Sequence, residues 1–575
     1  MKGIIAAKGM ALALAHVVTE PELAVQKRTI SDVPGELKRL NRAVAACSSQ
    51  IESLMEEMKG TVDPQTIEIL DFQLLMLEDA DFIGGIENAV AEQSVGAEYA
   101  VKYASDKYIT NLEELTDNDY LRQRAPDVAD TSRRLIAELY GVKLEIKEPD
   151  EPYVAIGTDI PPSRVAELDK SKLKGIILEK GGITSHCVIL SKSLGISCLI
   201  ETTGILEAVK PGDTVLLDAI AGEATINPDE ARVRSYNEYK VAESKEMANL
   251  KKYSGRESKS LDGAQLKVFA NITTSDEAES VVSQGGEGVG LFRSELLYMA
   301  QTSEPPSEET QYKEYSKAAK ALRGRPLIIR TLDIGGDKNI PYMDIGQEDN
   351  PFLGYRAIRF CLDNPEIFKP QISAILRAGA VGNVWMMFPM IASKTELTKA
   401  RQMVDQVAEE LIAKGIPFDS SMKIGMMVET PAAAADAKIF AKEVDFFSIG
   451  TNDLSQYLFA ADRANAKLAS LNSHFQPTLL RVIHSIAAAA KDEAIDVDIC
   501  GQAGEVDALI PIWLAMGIDN LSVSLPRITA VRRRICNLYK SDCERLLESV
   551  LCLDKMGDVA EALKEFAEKN PIHET

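Results

Sequence analysis

The residues able to do chemistry fall into two groups far apart in the chain. The first is a single histidine, His186, which ends the run Gly181-Gly182-Ile183-Thr184-Ser185-His186. Two glycines let backbone N–H groups approach an anion, and Thr184 or Ser185 is suited to cap a helix beginning there. Cys187, Leu190, Ser191 and Leu194 recur at helical spacing, and Gly195 ends the run. His186 is therefore expected in a first helical turn, where free N–H groups and the dipole favour negative charge. That setting suits a nucleophile that takes up phosphate. Taken alone, the same string also suits a satisfied structural histidine.

The second group lies at the ends of strand-like runs in the C-terminal half: Asn271, Arg293, Arg330 with Asp333, Glu429, Asn452 with Asp453, and Cys500. Arg293 and Arg330 stand on consecutive runs, so their guanidinium forks would converge on one phosphate or carboxylate. Arg356 and Arg463, each after an expected loop, would add to the clamp. Glu429 and Asp453 suit a hard cation such as Mg²⁺ held by few protein ligands plus substrate oxygens, or they neutralise the arginines. Cys500, before Gly501, would give a proton to a developing carbanion or enolate; elsewhere in the chain the same thiol would read as inert and buried.

The elements that must hold these residues are legible from periodicity. Runs at 266–271, 288–293, 327–333, 384–391, 423–429, 446–452, 496–500 and 520–524 alternate with helical stretches. Eight such β/α units predict a (β/α)8 TIM barrel over 260–575, with its chemistry at the carboxyl ends of the strands. Strand candidates at 153–157, 175–178, 197–200 and 214–218 join two short strands within 1–20, turned at Lys8-Gly9. They predict a compact α/β domain, 1–20 with 144–228, that carries His186. Four amphipathic segments, 31–58, 63–77, 83–117 and 118–141, predict a helical bundle inserted at 21–143. Residues 229–259 are charged and helix-prone without a continuous apolar face, as a linker helix between mobile halves would be.

A chain of 575 residues is too long for one core. Its net charge of −23 argues against non-specific binding to nucleic acid or an anionic membrane. The eight cysteines form no CxxC pair or zinc spacing, as expected of reduced thiols. No apolar run reaches the ~18 residues of a membrane span. Lys8 interrupts the apolar start, so a cytoplasmic protein is expected.

Assembled, these stretches resemble Enzyme I of the phosphoenolpyruvate-dependent sugar phosphotransferase system, the phosphoenolpyruvate–protein phosphotransferases. The resemblance rests on GGITSHCVILSKSLGIS, GVGLFRSELLYM, IIRTLDIGGDK, NPFLGYRAIRF, MFPMI, GMMVETPAA, FFSIGTNDLSQY and CGQAG, in the family's order, and on FQLLMLEDADF and YLRQRAPDVADTSRRL in the helical insert. It covers essentially the whole chain. It implies that phosphoenolpyruvate binds with Mg²⁺ at the barrel mouth, held by Arg293, Arg330, Asn452 and Arg463, with Glu429 and Asp453 as metal ligands. It further implies that His186 attacks phosphorus through Nε2 and that Cys500 protonates the enolate to pyruvate. The phosphoryl group would then pass to the carrier protein HPr, docked on the helical insert, and the barrel would form a homodimer. Three positions depart from the family: Gln73 and Gln502 replace a usual His and Glu, and Gln476-Pro477 replaces a usual His-Pro. Two rivals remain. A dikinase would need an ATP-binding domain, which the chain is too short to contain. A non-catalytic paralogue, sensing phosphoenolpyruvate as a binding protein, is suggested by the glutamines and opposed by the intact His186, Arg293, Arg330, Glu429, Asp453 and Cys500.

Overall fold

The computed structural model describes the chain except 19–22, 59–63, 114–124, 143–147, 161–163, 166–167, 183–185, 194, 300, 302–303, 336–339, 341, 344, 347, 464 and 573–575. It divides into two compact units, Met1–Glu243 and Ser244–Thr575.

The first unit contains a seven-stranded sheet of β1 (Ile4–Ala7), β2 (Met10–Val17), β3 (Tyr153–Gly157), β4 (Leu173–Leu178), β5 (Ser197–Ile200), β6 (Thr214–Asp218) and β7 (Glu223–Ile226). Their order is β1-β5-β4-β3-β2-β6-β7, parallel from β2 through β5 and antiparallel at both ends. Successive residues of a strand point to opposite faces. Tyr153, Ala155, Ile176 and Leu178 thus enter one core, and Val154, Ile156, Ile177 and Leu199 enter another across the sheet. Lys8-Gly9 does separate two strands, but β1 lies at the sheet edge and β2 in its interior, so the turn closes no hairpin. The helix His186–Ser193 connects β4 to β5 and begins at the histidine, as the spacing predicts. Thr184 and Ser185, the expected caps, and Leu194 lie outside the described residues.

The helical part of this unit contains Val33–Met58, Pro64–Glu78, Ala80–Gln93, Ala97–Glu113 and Ala125–Tyr140 around a core that includes Leu40, Ile51, Phe82, Ile86, Val101 and Leu135. The segment expected over 83–117 is two helices. Ser94 adopts φ 51°, and its carbonyl accepts the Ile30 N–H at 2.8 Å while the Gly96 N–H donates to Arg28 O at 2.8 Å. Residues 28–30 therefore satisfy the backbone at the break, a tertiary effect that local periodicity does not contain. The connecting helix, Glu230–Lys251, crosses the division between the units.

The second unit is a closed barrel of eight parallel strands: β8 (Lys267–Ile272), β9 (Val289–Arg293), β10 (Leu327–Arg330), β11 (Val384–Phe388), β12 (Ile424–Val428), β13 (Phe446–Ile449), β14 (Asp496–Ile499) and β15 (Asn520–Val523). The strands pair in sequence order, and β15 closes against β8. Val268, Ile329, Met386, Val428, Ile449 and Ile499 pack outward into the helix-covered core. The alternate positions, among them Leu291, Ile328, Met387, Met427 and Phe446, fill the inside. No helix among the described residues is long and apolar enough to cross a membrane.

Candidate functional site

The alternation that fills the barrel also aims its chemistry. Arg293 continues the inward parity of Leu291, Arg330 that of Ile328, Glu429 that of Met427, and Cys500 itself packs in the inner cluster. All stand at or just past the carboxyl ends of their strands, and the register sets Arg330 directly opposite Arg293. Asn452 and Asp453 lie in the first turn of helix Thr451–Leu458, which follows β13. The turn into this helix is glycine because a Cβ at Gly450 would lie 2.7 Å from Glu429 Oε2 and 2.9 Å from its Cβ. Gly501, after Cys500, leaves room in the same way for the Thr451 backbone and hydroxyl.

Arg330 is buried and carries two acidic partners. Its Nη2 lies 3.0 Å from Glu295 Oε1, its Nε donates to the same oxygen at 3.2 Å, and Nη1 lies 3.1 Å from Asp333 Oδ2. Asp333 also accepts from Arg356 Nη2 at 2.7 Å, so one carboxylate joins two guanidinium groups. Burial works against both arginine charges, but Glu295 and Asp333 at Arg330, and Asp333 at Arg356, outweigh it and hold both pKa values above the ordinary range. Arg293 differs: it is exposed at the mouth, and among the described residues no carboxylate comes within ion-pair distance of it. Its desolvation and the charge of Arg330 lower its pKa. Arg463, also exposed, reaches Asp453 Oδ1 at 3.4 Å. Asn452 Oδ1 accepts the Gln502 N–H at 3.2 Å, which ties the turn after β14 to the helix after β13.

Glu429 is buried, and its Oε1 accepts the N–H of Met390 at 2.7 Å. Met390 holds φ 56°, a left-handed conformation unusual for a side chain of this size. Burial, then the negative charges of Asp453 and Asp333, raises the Glu429 pKa against the pull of Arg330. Among the described residues, Glu429 Oε2 and Asp453 Oδ1 are buried acceptors without a hydrogen bond, the latter having only its long ion pair with Arg463. Two under-satisfied carboxylates beside a cationic mouth fit a hard divalent ion that takes its remaining ligands from water and substrate. Among the described residues no group of three or more His, Cys, Asp or Glu could form an all-protein metal cage. Cys500 is buried and donates weakly to Ile449 O at 3.6 Å, and Asn271 Nδ2 reaches the Cys500 carbonyl at 3.4 Å. Burial pushes its thiol up to about 12, against a smaller pull from the Ser448 hydroxyl.

The barrel thus brings Arg293, Arg330, Arg356, Glu429, Asn452, Asp453, Arg463 and Cys500 to one end, while His186 belongs to the other unit. Sequence reasoning missed Glu295, which orients Arg330, and the Met390 N–H that fixes Glu429. The acid in SEL directly after β9 was a usable signal for the first; a backbone conformation leaves no such trace. Of the departures, Gln73 is fully buried in the helical core, with Nε2 donating to Asp130 at 2.8 Å. Gln476 precedes helix Pro477–Asp492 and donates to Ser470 O at 2.9 Å.

With this geometry in place, comparison with known proteins defines the class. The chain matches the phosphoenolpyruvate-utilising enzymes in all three of their modules: the N-terminal domain over 2–124, the mobile domain over 149–222 and the phosphoenolpyruvate-binding domain over 247–539. Within that class, it is 37% identical over 569 residues to the phosphoenolpyruvate-protein phosphotransferase of Staphylococcus carnosus, covering 98% of this chain and 99% of that protein. The proteins of the same name from Bacillus subtilis (37% over 568 residues, 98% and 99%) and Geobacillus stearothermophilus (38% over 565, 98% and 97%) are similar along their whole length too. The chain belongs to the phosphoenolpyruvate–protein phosphotransferase family, the Enzyme I proteins.

Proposed function

We propose that the chain transfers the phosphoryl group of phosphoenolpyruvate to His186, releasing pyruvate, and then to a histidine of an HPr-type phosphocarrier protein. This is the first step of the sugar phosphotransferase system. The observation that carries the reading is the convergence of Arg293, Arg330, Glu429 and Cys500, by strand parity, on one mouth. A phosphorylated enol acid brings several negative oxygens, and phosphoryl transfer needs positioning and neutralisation more than covalent help. Arg293 and Arg463 offer exposed guanidinium groups to them, Arg330 and Arg356 form a cationic floor held by Asp333, and Asn452 would donate through its amide NH₂. Glu429 and Asp453 would hold Mg²⁺, which when bound supplies further neutralisation of phosphoryl and carboxylate charge.

A neutral His186 imidazole attacks phosphorus in line through Nε2: the N–P bond forms, the bridging P–O bond breaks, and its electron pair leaves on the enolate. Cys500 then gives the thiol proton to C3, yielding pyruvate. Its raised pKa keeps that proton in place at neutral pH. In this scheme 1–20 with 144–228 carries the phosphohistidine, 21–143 docks the carrier, 229–259 links, and 260–575 binds phosphoenolpyruvate and pairs with a second copy, in the cytoplasm. The intact mouth favours catalysis over the non-catalytic alternative. Labelling with radioactive phosphoenolpyruvate and Mg²⁺ tests it. The expected result is acid-labile, base-stable label with pyruvate release, lost in His186→Ala and passed on to HPr; a folded wild-type chain that takes no label overturns it.

A further inference from the structure

Strand β14 places Asp496, Asp498 and Cys500 at alternate positions, and its intervening Val497 and Ile499 pack into the outer core. All three therefore face the barrel interior, in a column running from its amino-terminal rim to the mouth. The strands on either side supply polar neighbours at the same level, for Ser448 of β13 and Asn520 of β15 are both in register with Asp498. Asp498 is fully buried, and Asn520 donates to its Oδ1. Among the described residues, its Oδ2 and Asn520 Oδ1 have no hydrogen-bond partner, and the Ser448 hydroxyl beside it is near enough to the Cys500 thiol to pull on it. The other half of the interior is apolar, filled by Leu291, Ile328, Trp385, Met387 and Met427. Barrels of this type normally close that space with branched apolar side chains. A carboxylic acid with open hydrogen-bonding capacity below Cys500 is a local violation of packing, of the kind retained at functional positions.

We propose that Asp498, acting through Ser448 and supplied from Asp496, is the proton store that reloads Cys500 after each turnover. The inference rests on the reading of Cys500 as the group that protonates the enolate. That step leaves a thiolate. Ser448 gives its hydroxyl proton to the sulfur and takes the carboxyl proton of Asp498. Asp498, now a carboxylate, regains a proton by way of Asp496, which is partly exposed at the rim and paired with Lys423 at 2.8 Å. Column positions lie about 6.6 Å apart along the strand, a separation that one water would span.

The electrostatics run in the required direction. Burial pushes Asp498 up to about 8, the Asn520 hydrogen bond and Lys267 pulling against it and Asp519 and Asp496 adding to it. A carboxyl so placed keeps its proton at neutral pH and can hold it for transfer along the column.

The test uses the full chain with Mg²⁺, phosphoenolpyruvate and pyruvate in D₂O, following deuterium entry into the pyruvate methyl group by NMR, with phosphohistidine labelling measured in parallel. In Asp498→Asn, labelling is expected to stay within about twofold of wild type. Deuterium entry is expected to fall at least about tenfold and to lose the wild-type inflection near the Asp498 pKa. Ser448→Ala, a smaller change, is expected to show the same split. Deuterium entry at the wild-type rate and with the wild-type pH profile in both variants overturns the proposal and leaves Asp498 a strand fastener. If the wild-type chain takes no label, the phosphotransferase reading fails first and the proposal falls with it.

Discussion

Arg293 and Arg330 are register partners on adjacent strands, yet their surroundings give them different work. Arg330 is locked between Glu295 and Asp333, whereas Arg293 opens to solvent with its charge uncompensated by any described carboxylate in contact. A substrate anion therefore gains most from Arg293, and Arg293→Ala should raise the KM for phosphoenolpyruvate by roughly two orders of magnitude, read by steady-state pyruvate release with the fold intact. Asp498 shows the opposite condition, a buried acid with no cationic partner in contact among the described residues. Its pKa is about 8 when folded, against an ordinary 3.8 for this carboxyl. Below the lower value both states are protonated and there is no penalty. As pH rises towards 8 the unfolded chain ionises first, so the folded barrel loses stability, and above 8 the loss levels off. Asp498→Asn keeps a carbonyl for Asn520 and removes this penalty. Its stability advantage should grow between about pH 4 and pH 8 by a few kcal/mol, visible as a rising difference in barrel Tm.

At the scale of elements, the turn after β13 shows how a strand end becomes a binding group. Gly450 has φ −81°, so backbone freedom is not what requires glycine there; the approach of Glu429 is. Gly450→Ala should push the Glu429 carboxylate aside, lower barrel stability by about 1–3 kcal/mol, and raise the Mg²⁺ concentration needed for phosphohistidine labelling by roughly tenfold. The barrel itself is legible in the sequence because each strand run is short and β-rich and is bounded by helical spacing, and several end at a residue able to do chemistry. β9 to β15 begin within one residue of the expected runs, and periodicity alone puts Arg293, Arg330, Glu429 and Cys500 at strand ends. What escapes it depends on contacts between distant segments. The helix break at Ser94 is satisfied by residues 28–30, and the Glu295 and Met390 contacts exist only once the strands are in register. β7 escapes too, a strand whose four residues have little alternation of their own.

For the molecule as a whole, the proposed transfer between two sites would need the helix Glu230–Lys251 to be held at its barrel end, and Arg532 ties the segment that follows it to the barrel. It is fully buried on helix Ile528–Ile535, after the last barrel strand. Its Nε donates to Ser258 Oγ at 2.9 Å, and its Nη1 donates to Tyr253 O at 3.0 Å and Ser254 O at 3.3 Å. Nη2 donates to Gly285 O and lies 3.5 Å from Glu287 Oε2. One guanidinium thus binds the segment that follows the connecting helix to the turn between β8 and β9, while Arg533 pairs with Glu246 on that helix. Arg532→Met preserves much of the volume but takes the guanidinium donors from the carbonyls of Tyr253, Ser254 and Gly285, while Glu287 keeps only the hydrogen bonds from Ser258 and the Val268 N–H. The expected loss is about 2–3 kcal/mol of barrel stability, because several acceptors, buried or partly buried, lose a charged donor at once. Local loosening should precede the global loss: amide hydrogen exchange at 250–258 should accelerate well below the variant's Tm, while phosphoenolpyruvate binding at the distant mouth is retained. Exchange in that segment unchanged from wild type would mean that the connecting helix is anchored elsewhere, with Arg533 and Glu246 the next pair to break.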